Sequence, residues 1–184
     1  EDIMPNPVGI YEASKTAADF VMRSYGKNKN LPVVVVRSAN FYGPGDLNFS
    51  RLVPGSIYRI LNGKQPFLWK DASEYKREFV YIHDACVMIH ELMKVTDKYK
   101  GEAVNIGSGC VYKIKGFIRK LLKVMDKETL GIEIKEKKMK FKEIETQYLD
   151  LNKLRVMIHE LPVRSLQVEE SLAETVDWYR NYLR

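Results

Sequence analysis

Val33-Val34-Val35-Val36-Arg37-Ser38-Ala39-Asn40 decides the architecture. Four consecutive β-branched residues suit a strand buried on both faces in a parallel sheet better than the alternating strand of a half-exposed one. Upstream, Tyr11 to Tyr25 has helical apolar spacing, with Phe20, Val21 and Tyr25 on apolar positions and small Ala13, Ser14, Ala17 and Ala18 along it. Gly26 to Pro32 punctuates the two elements. Ligands of open α/β sheets collect beyond strand C-termini. The loop expected from Asn40 to Phe49, shaped by glycines and a proline, is therefore placed to meet a ligand.

Downstream, the pattern predicts a helix over Leu52 to Leu61, capped by Asn48 or Ser50 and ending at Asn62-Gly63. Strands are expected at Pro66 to Trp69, Glu78 to Ile82, Ala103 to Ile106 and Ile132 to Lys137, with a polar excursion from Lys70 to Lys76. Further helices are expected from His83-Asp84 to about Val95 with Asp84 as N-cap, at Lys115 to Met125, at Leu151 to Ile158 and at Glu169 to Leu183. The chain carries no repeat, low-complexity tract or long linker, so residues 1–184 read as a single unit of α/β class.

At 184 residues, 45% hydrophobic and 29% charged, the composition is that of one globular domain with a sizeable core. The net charge of +6 is diffuse. Its densest run, Lys135 to Lys142, is interrupted by Glu136, Met139 and Phe141 and reads as a solvated edge strand and loop, so no nucleic acid partner is expected. No apolar run approaches the roughly 20 residues that span a bilayer. Glu1-Asp2-Ile3-Met4-Pro5 lacks the basic and apolar regions of a signal peptide, and a cytoplasmic location is expected. Cys86 and Cys110 read as buried thiols. His90-Glu91 and His159-Glu160 begin like a zinc-protease motif, yet each lacks the second histidine one helical turn on, so no metal is expected.

Tyr11 and Lys15 lie four apart, on one face of the expected helix. A free phenol titrates near about 10 and is a poor base at neutral pH, unless a fixed ammonium beside it favours the phenolate. Taken alone the pair reads as a coincidence on a surface helix; the flanking sequence changes its weight.

Tyr11-x-x-Ser14-Lys15, followed by Val33 to Asn40 and then Phe41-Tyr42-Gly43-Pro44-Gly45, resembles the extended short-chain dehydrogenase/reductase family of NAD-dependent nucleotide-sugar epimerases and dehydratases. Further blocks follow in order: Arg77-Glu78-Phe79-Val80-Tyr81-Ile82-His83-Asp84-Ala85, Val104-Asn105-Ile106-Gly107-Ser108-Gly109, and Leu172 to Tyr179 with Trp178-Tyr179. Asp46 to Pro54 and Glu145 to Asp150 are most similar to the CDP-glucose 4,6-dehydratase branch.

The resemblance implies the C-terminal part of a Rossmann-type doubly wound parallel sheet, ending near residue 45, interleaved with a small α/β substrate-binding part over residues 46–184. It implies Tyr11 as acid/base toward a sugar hydroxyl, with Lys15 lowering its pKa and holding the nicotinamide ribose of NAD rather than NADP. Phe41 would touch the cofactor. Asn40, Arg51, Leu52, Arg77, Asn105 and Tyr148 would hold a nucleotide-diphosphate sugar, with the Arg77 guanidinium suited to two phosphate oxygens. Without the resemblance, Asn40 reads as a turn former and Arg51 and Arg77 as surface ion pairs.

Relatives carry a glycine-rich phosphate turn, a Ser or Thr and an Asp-Glu pair upstream of the tyrosine. Here Gly107-Ser108-Gly109 has Tyr112 where a third glycine would fall, and it reads as a substrate-side loop. The chain therefore resembles a C-terminal half, with the N-terminal half and a second copy, docked through the Tyr11–Lys15 helix, as implied partners. Met157-Ile158-His159-Glu160-Leu161 before Pro162 departs from the family's Leu-Gly-Trp turn.

Overall fold

The computed structural model describes residues 1, 5–136, 144–158 and 167–184. In chain order its elements are α1 (Ile10–Lys29), β1 (Val34–Ser38), β2 (Asn40–Tyr42), α2 (Leu52–Leu61), β3 (Phe67–Trp69), β4 (Lys76–Tyr81) and α3 (Ile82–Lys94). There follow β5 (Glu102–Ile106), β6 (Val111–Lys113), α4 (Ile114–Val124), β7 (Glu133–Lys135), β8 (Thr146–Gln147), α5 (Asn152–Met157) and α6 (Val168–Tyr182). Single 3₁₀ turns occupy Asp71–Glu74 and Glu128–Leu130.

The strands form three small sheets. β1 pairs in parallel with β5, bringing Arg37 beside Asn105. β2 pairs in parallel with β4, which also takes β6 antiparallel and β8 parallel. β3 pairs in parallel with β7. This is the mixed α/β class expected from the sequence.

Helix α1 packs on β1 and β5. Gly26 permits the contact: a Cβ there would lie 2.4 Å from the Gly101 nitrogen, in the turn that leads into β5. Arg37 fastens the same contact, donating through Nε to Asp19 Oδ2 at 2.7 Å. The Val34, Val35 and Val36 side chains are half-buried, short of the full burial expected of such a run. The reason is topological. Among the described residues β1 has one hydrogen-bonded neighbour, β5.

β4 is the strand buried on both faces. Phe79 and Tyr81 point into one core with Tyr42, Ile57, Phe117, Leu121, Leu172 and Tyr179; Val80 points into the other with Ala85, Met88, Val104, Leu151 and Leu154. This is the period of two acting on a single strand. α4 presents Ile114, Phe117, Ile118, Leu121 and Leu122 to the first core at the i, i+3, i+4, i+7 and i+8 spacing of an amphipathic helix. Phe79 and Phe117 stack with centroids 4.1 Å apart. Such pairs contribute about 1 kcal/mol beyond the burial of their area.

Several local expectations are corrected. Asn40 to Tyr42 forms a strand, not the start of a loop, because it reaches β4. α2 is preceded by Arg51 with no side-chain cap; Asn48 instead accepts from the Ser50 main-chain and hydroxyl groups. Asp84 is not an N-cap but lies inside α3, fully buried, with Tyr81 at the cap position. Cys86 is exposed and Cys110 half-exposed, since α3 turns Cys86 away from the core filled by Ala85 and Met88. The edge strand contracts to Glu133–Lys135. Most of the Lys135 to Lys142 run, and His159, Glu160, Leu161 and Pro162, lie outside the described residues. Among the described residues no helix is long and apolar enough to cross a membrane.

α6 is held by buried phenols. Tyr42 and Ser171 share a hydroxyl hydrogen bond, and Tyr179 donates to the Asp46 carbonyl. Burial, then the Asp46 charge, pushes the Tyr179 pKa up to about 12, and burial, then Cys110, does the same for Tyr112. An unfolded phenol ionises near about 10, so above that pH the unfolded chain releases protons first. The stability these phenols contribute is whole below pH ~10 and is lost as pH rises through about 12. Thermal melts across this window are expected to fall steeply, and Tyr179→Phe to flatten the decline while lowering the melting temperature below it.

Candidate functional site

Tyr11 and Lys15 occupy the first turns of α1. Lys15 Nζ lies 5.6 Å from the centroid of the Tyr11 ring, so ammonium and phenol share one face. The Ser14 hydroxyl donates to the Tyr11 carbonyl at 2.7 Å and leaves that face clear. Tyr11 is 70% exposed, and Lys15 is also exposed. Among the described residues no hydrogen bond or ion pair involves the Tyr11 hydroxyl or the Lys15 ammonium. Ile10, Phe20, Val21, Met22 and Tyr25 are exposed too, leaving much of the apolar surface of α1 uncovered by this chain.

A second group of candidates lies on β4, on its neighbour β2, on β5 and just after β8. Arg77, 7% exposed, donates through Nη1 to the carbonyls of Lys76 and Glu145 at 2.9 and 3.4 Å, and its guanidinium stands 5.5 Å from the Tyr75 ring centroid. Asn40 Nδ2 donates to the Glu78 carbonyl at 3.2 Å. Asn105 is buried in β5; its Nδ2 donates to the Asp150 carbonyl at 3.0 Å and its main-chain N–H to Glu1 Oε1 at 2.8 Å. Tyr148, 64% exposed, stands next to the Leu149–Asp150 segment to which Asn105 is tied. Asn40 is thus tied to the β4 main chain, Arg77 to the main chain of β4 and of the segment before β8, and Asn105 to the segment that carries Tyr148.

The remaining candidates stand apart. Arg51 forms an exposed ion pair with Asp46 at 3.1 Å, the bland arrangement weighed for it from sequence. Leu52 is half-buried against the first core, and Phe41 is exposed on β2. Among the described residues no hydrogen bond or ion pair joins the Tyr11 or Lys15 side chain to the group around β4.

One residue of this group was missed in the sequence. Glu78 is 1% exposed, and its carboxylate accepts from the Gly109 main-chain N–H at 2.7 Å and the Leu149 main-chain N–H at 2.8 Å. The signal was available: a carboxylate inside a strand that buries all its neighbours must be paired.

Residues 1–107 match the NAD dependent epimerase/dehydratase family. Over 182 residues the chain is 27% identical to dTDP-glucose 4,6-dehydratase of Neisseria gonorrhoeae, covering 94% of this chain and 51% of that protein. The fold superposes on the crystal structure of dTDP-glucose 4,6-dehydratase from Bacillus anthracis in complex with NAD with a TM-score of 0.85 at 25% identity, covering 98% of this chain and 55% of that one. It superposes on UDP-glucuronic acid 4-epimerase from Bacillus cereus, in complex with UDP-glucuronic acid and NAD, with a TM-score of 0.86 at 24% identity, covering 99% of this chain and 56% of that one. The chain spans about half the length of the relatives it matches.

Proposed function

The chain belongs to the NAD dependent epimerase/dehydratase family, and from that membership we propose that it is the substrate-side part of a nucleotide-sugar 4,6-dehydratase. The observation that carries the reading is the Lys15 ammonium lying beside the exposed Tyr11 ring on one face of α1. A fixed positive charge favours the phenolate. Tyr11 then takes the proton from the C4 hydroxyl of the sugar, and Lys15 holds that charge balance while binding ribose hydroxyls. Lys15 and Phe41 would hold NAD, which would supply the hydride acceptor.

On the substrate side, Arg77 is assigned to the diphosphate, and Asn40, Asn105, Tyr148, Arg51 and Leu52 to the rest of the nucleotide sugar. Asp46 to Pro54 and Glu145 to Asp150 favour a CDP-linked hexose, while the relatives named above carry dTDP and UDP in their names. The equally close superposition on a 4-epimerase supports a second reading, in which the hydride returns to the opposite face of C4. The uncovered apolar surface of α1 and the single-neighbour strand β1 support docking of further protein there, as a second copy through α1 or as a dinucleotide-binding half along β1.

Titration calorimetry of the chain with CDP, GDP, UDP and dTDP tests the substrate side. One pyrimidine diphosphate is expected to bind more tightly than GDP, and binding is expected to survive Tyr11→Phe. Absence of binding by all of them would overturn the reading. Product analysis with a nucleotide hexose and NAD, the other half supplied, separates a 4-keto-6-deoxy sugar from a C4 epimer.

A further inference from the structure

We propose that Glu78 is a positioning residue of the nucleotide site, a main-chain clamp that holds two loops in register; the inference rests on the substrate-side reading above. Four observations meet at this residue. Its Oε1 accepts from Gly109 N–H at 2.7 Å and its Oε2 from Leu149 N–H at 2.8 Å, so one carboxylate joins two segments distant in the chain. Its own carbonyl accepts from Asn40 Nδ2. Its neighbour in β4 is Arg77, whose side chain goes to the opposite face because strand side chains alternate. The fourth observation is Gly107: a Cβ there would sit 2.2 Å from Glu78 Oε1, so glycine leaves the space that the carboxylate fills.

The arrangement has a direct physical consequence. Hydrogen bonds from main-chain N–H groups to an ionised carboxylate are charge-assisted, and a loop held through its backbone is fixed without restricting its side chains. The clamp therefore sets the separation between the strand end that carries Asn105 and the segment that carries Tyr148. Those two residues reach a nucleotide only if their loops keep that spacing. Asn105 reinforces it by donating to the Asp150 carbonyl, one residue beyond Leu149.

The test uses the whole chain with ¹⁵N labelling. Glu78→Gln is isosteric and retains one acceptor oxygen, so the fold is kept while one of the two amides faces an NH₂ group. Gly107→Ala reaches the same carboxylate from the other side. Each variant is expected to accelerate amide exchange at Gly109 or Leu149 by tenfold or more and to weaken binding of the preferred nucleoside diphosphate by fivefold or more, while a cooperative thermal transition at a lowered midpoint and unchanged exchange in α4 and α6 show that the rest of the fold is kept.

In the unsubstituted chain the Asn105, Gly109 and Leu149 resonances are expected to follow one binding curve on nucleotide addition; in Glu78→Gln the Gly109 and Leu149 responses separate. The double variant is expected to be no worse than the worse single one, because both act through one carboxylate. Unchanged affinity and a shared binding curve in Glu78→Gln would overturn the role of Glu78 alone. Absence of nucleotide binding by the unsubstituted chain would overturn the substrate reading, and the role of Glu78 in it.

Discussion

Replacing Arg77 by alanine is expected to weaken binding of a nucleoside diphosphate by about 10- to 100-fold, the loss that follows from removing one charge-assisted contact of roughly 1.5–3 kcal/mol. The estimate depends on where the guanidinium stands. Arg77 is almost fully buried in β4 and already anchored to the Lys76 and Glu145 carbonyls, with its plane beside the Tyr75 ring. An anchored guanidinium loses little rotamer freedom when a ligand arrives, so most of each new contact registers as affinity. Arg77→Lys is expected to recover only part of the loss, since an ammonium has charge without the planar fork. Calorimetry with the preferred diphosphate measures both variants, and circular dichroism guards against the trivial explanation that β8 has come away from β4. A folded Arg77→Ala variant with the affinity of the unsubstituted chain would sink the assignment.

The same strand explains what the sequence could and could not disclose. Phe79, Val80 and Tyr81 form an apolar run that reads as a buried strand, and they divide between two cores. The periodicity of α4 was legible for the same reason: apolar spacing over three turns is a local signal. β2, β6 and β8 were missed because two or three residues carry no measurable period, and each exists by virtue of pairing with β4, distant in sequence.

Capping failed in a different way. Asn48 and Asp84 are good cap residues by type, but Asn48 was used by Ser50 and Asp84 was drawn inside α3 by burial. The valine run at β1 was read correctly as a parallel strand, while its expected burial presupposed a neighbour on each side. Arg77 and Asn105 were singled out through their motif blocks, and both side chains are buried and hydrogen-bonded. Glu78 could have been marked as a strand carboxylate in need of partners, but which partners it takes, the main-chain amides of Gly109 and Leu149, no side-chain pattern announces.

Tyr11→Phe is expected to lower turnover of the nucleotide hexose by about 10²- to 10⁴-fold, the range for losing a positioned acid/base group, while leaving nucleotide affinity within about twofold. The separation of the two effects is structural. Tyr11 lies on α1, and among the described residues nothing ties its side chain to the Arg77, Asn105 and Tyr148 group that would hold the nucleotide. Removing one oxygen from a 70% exposed ring disturbs no packing, so the fold gives no second route to the loss. Lys15→Met should reproduce much of the effect and add a fall in NAD affinity, because the ammonium 5.6 Å from the ring is asked both to favour the phenolate and to hold ribose. The measurement requires the dinucleotide-binding half, in the same polypeptide or added in trans, with steady-state rates and nucleotide affinity measured side by side. If turnover in Tyr11→Phe stays within about tenfold of the unsubstituted enzyme, the proton is taken elsewhere, and the proximity of Tyr11 and Lys15 is a property of the helix surface rather than of the chemistry.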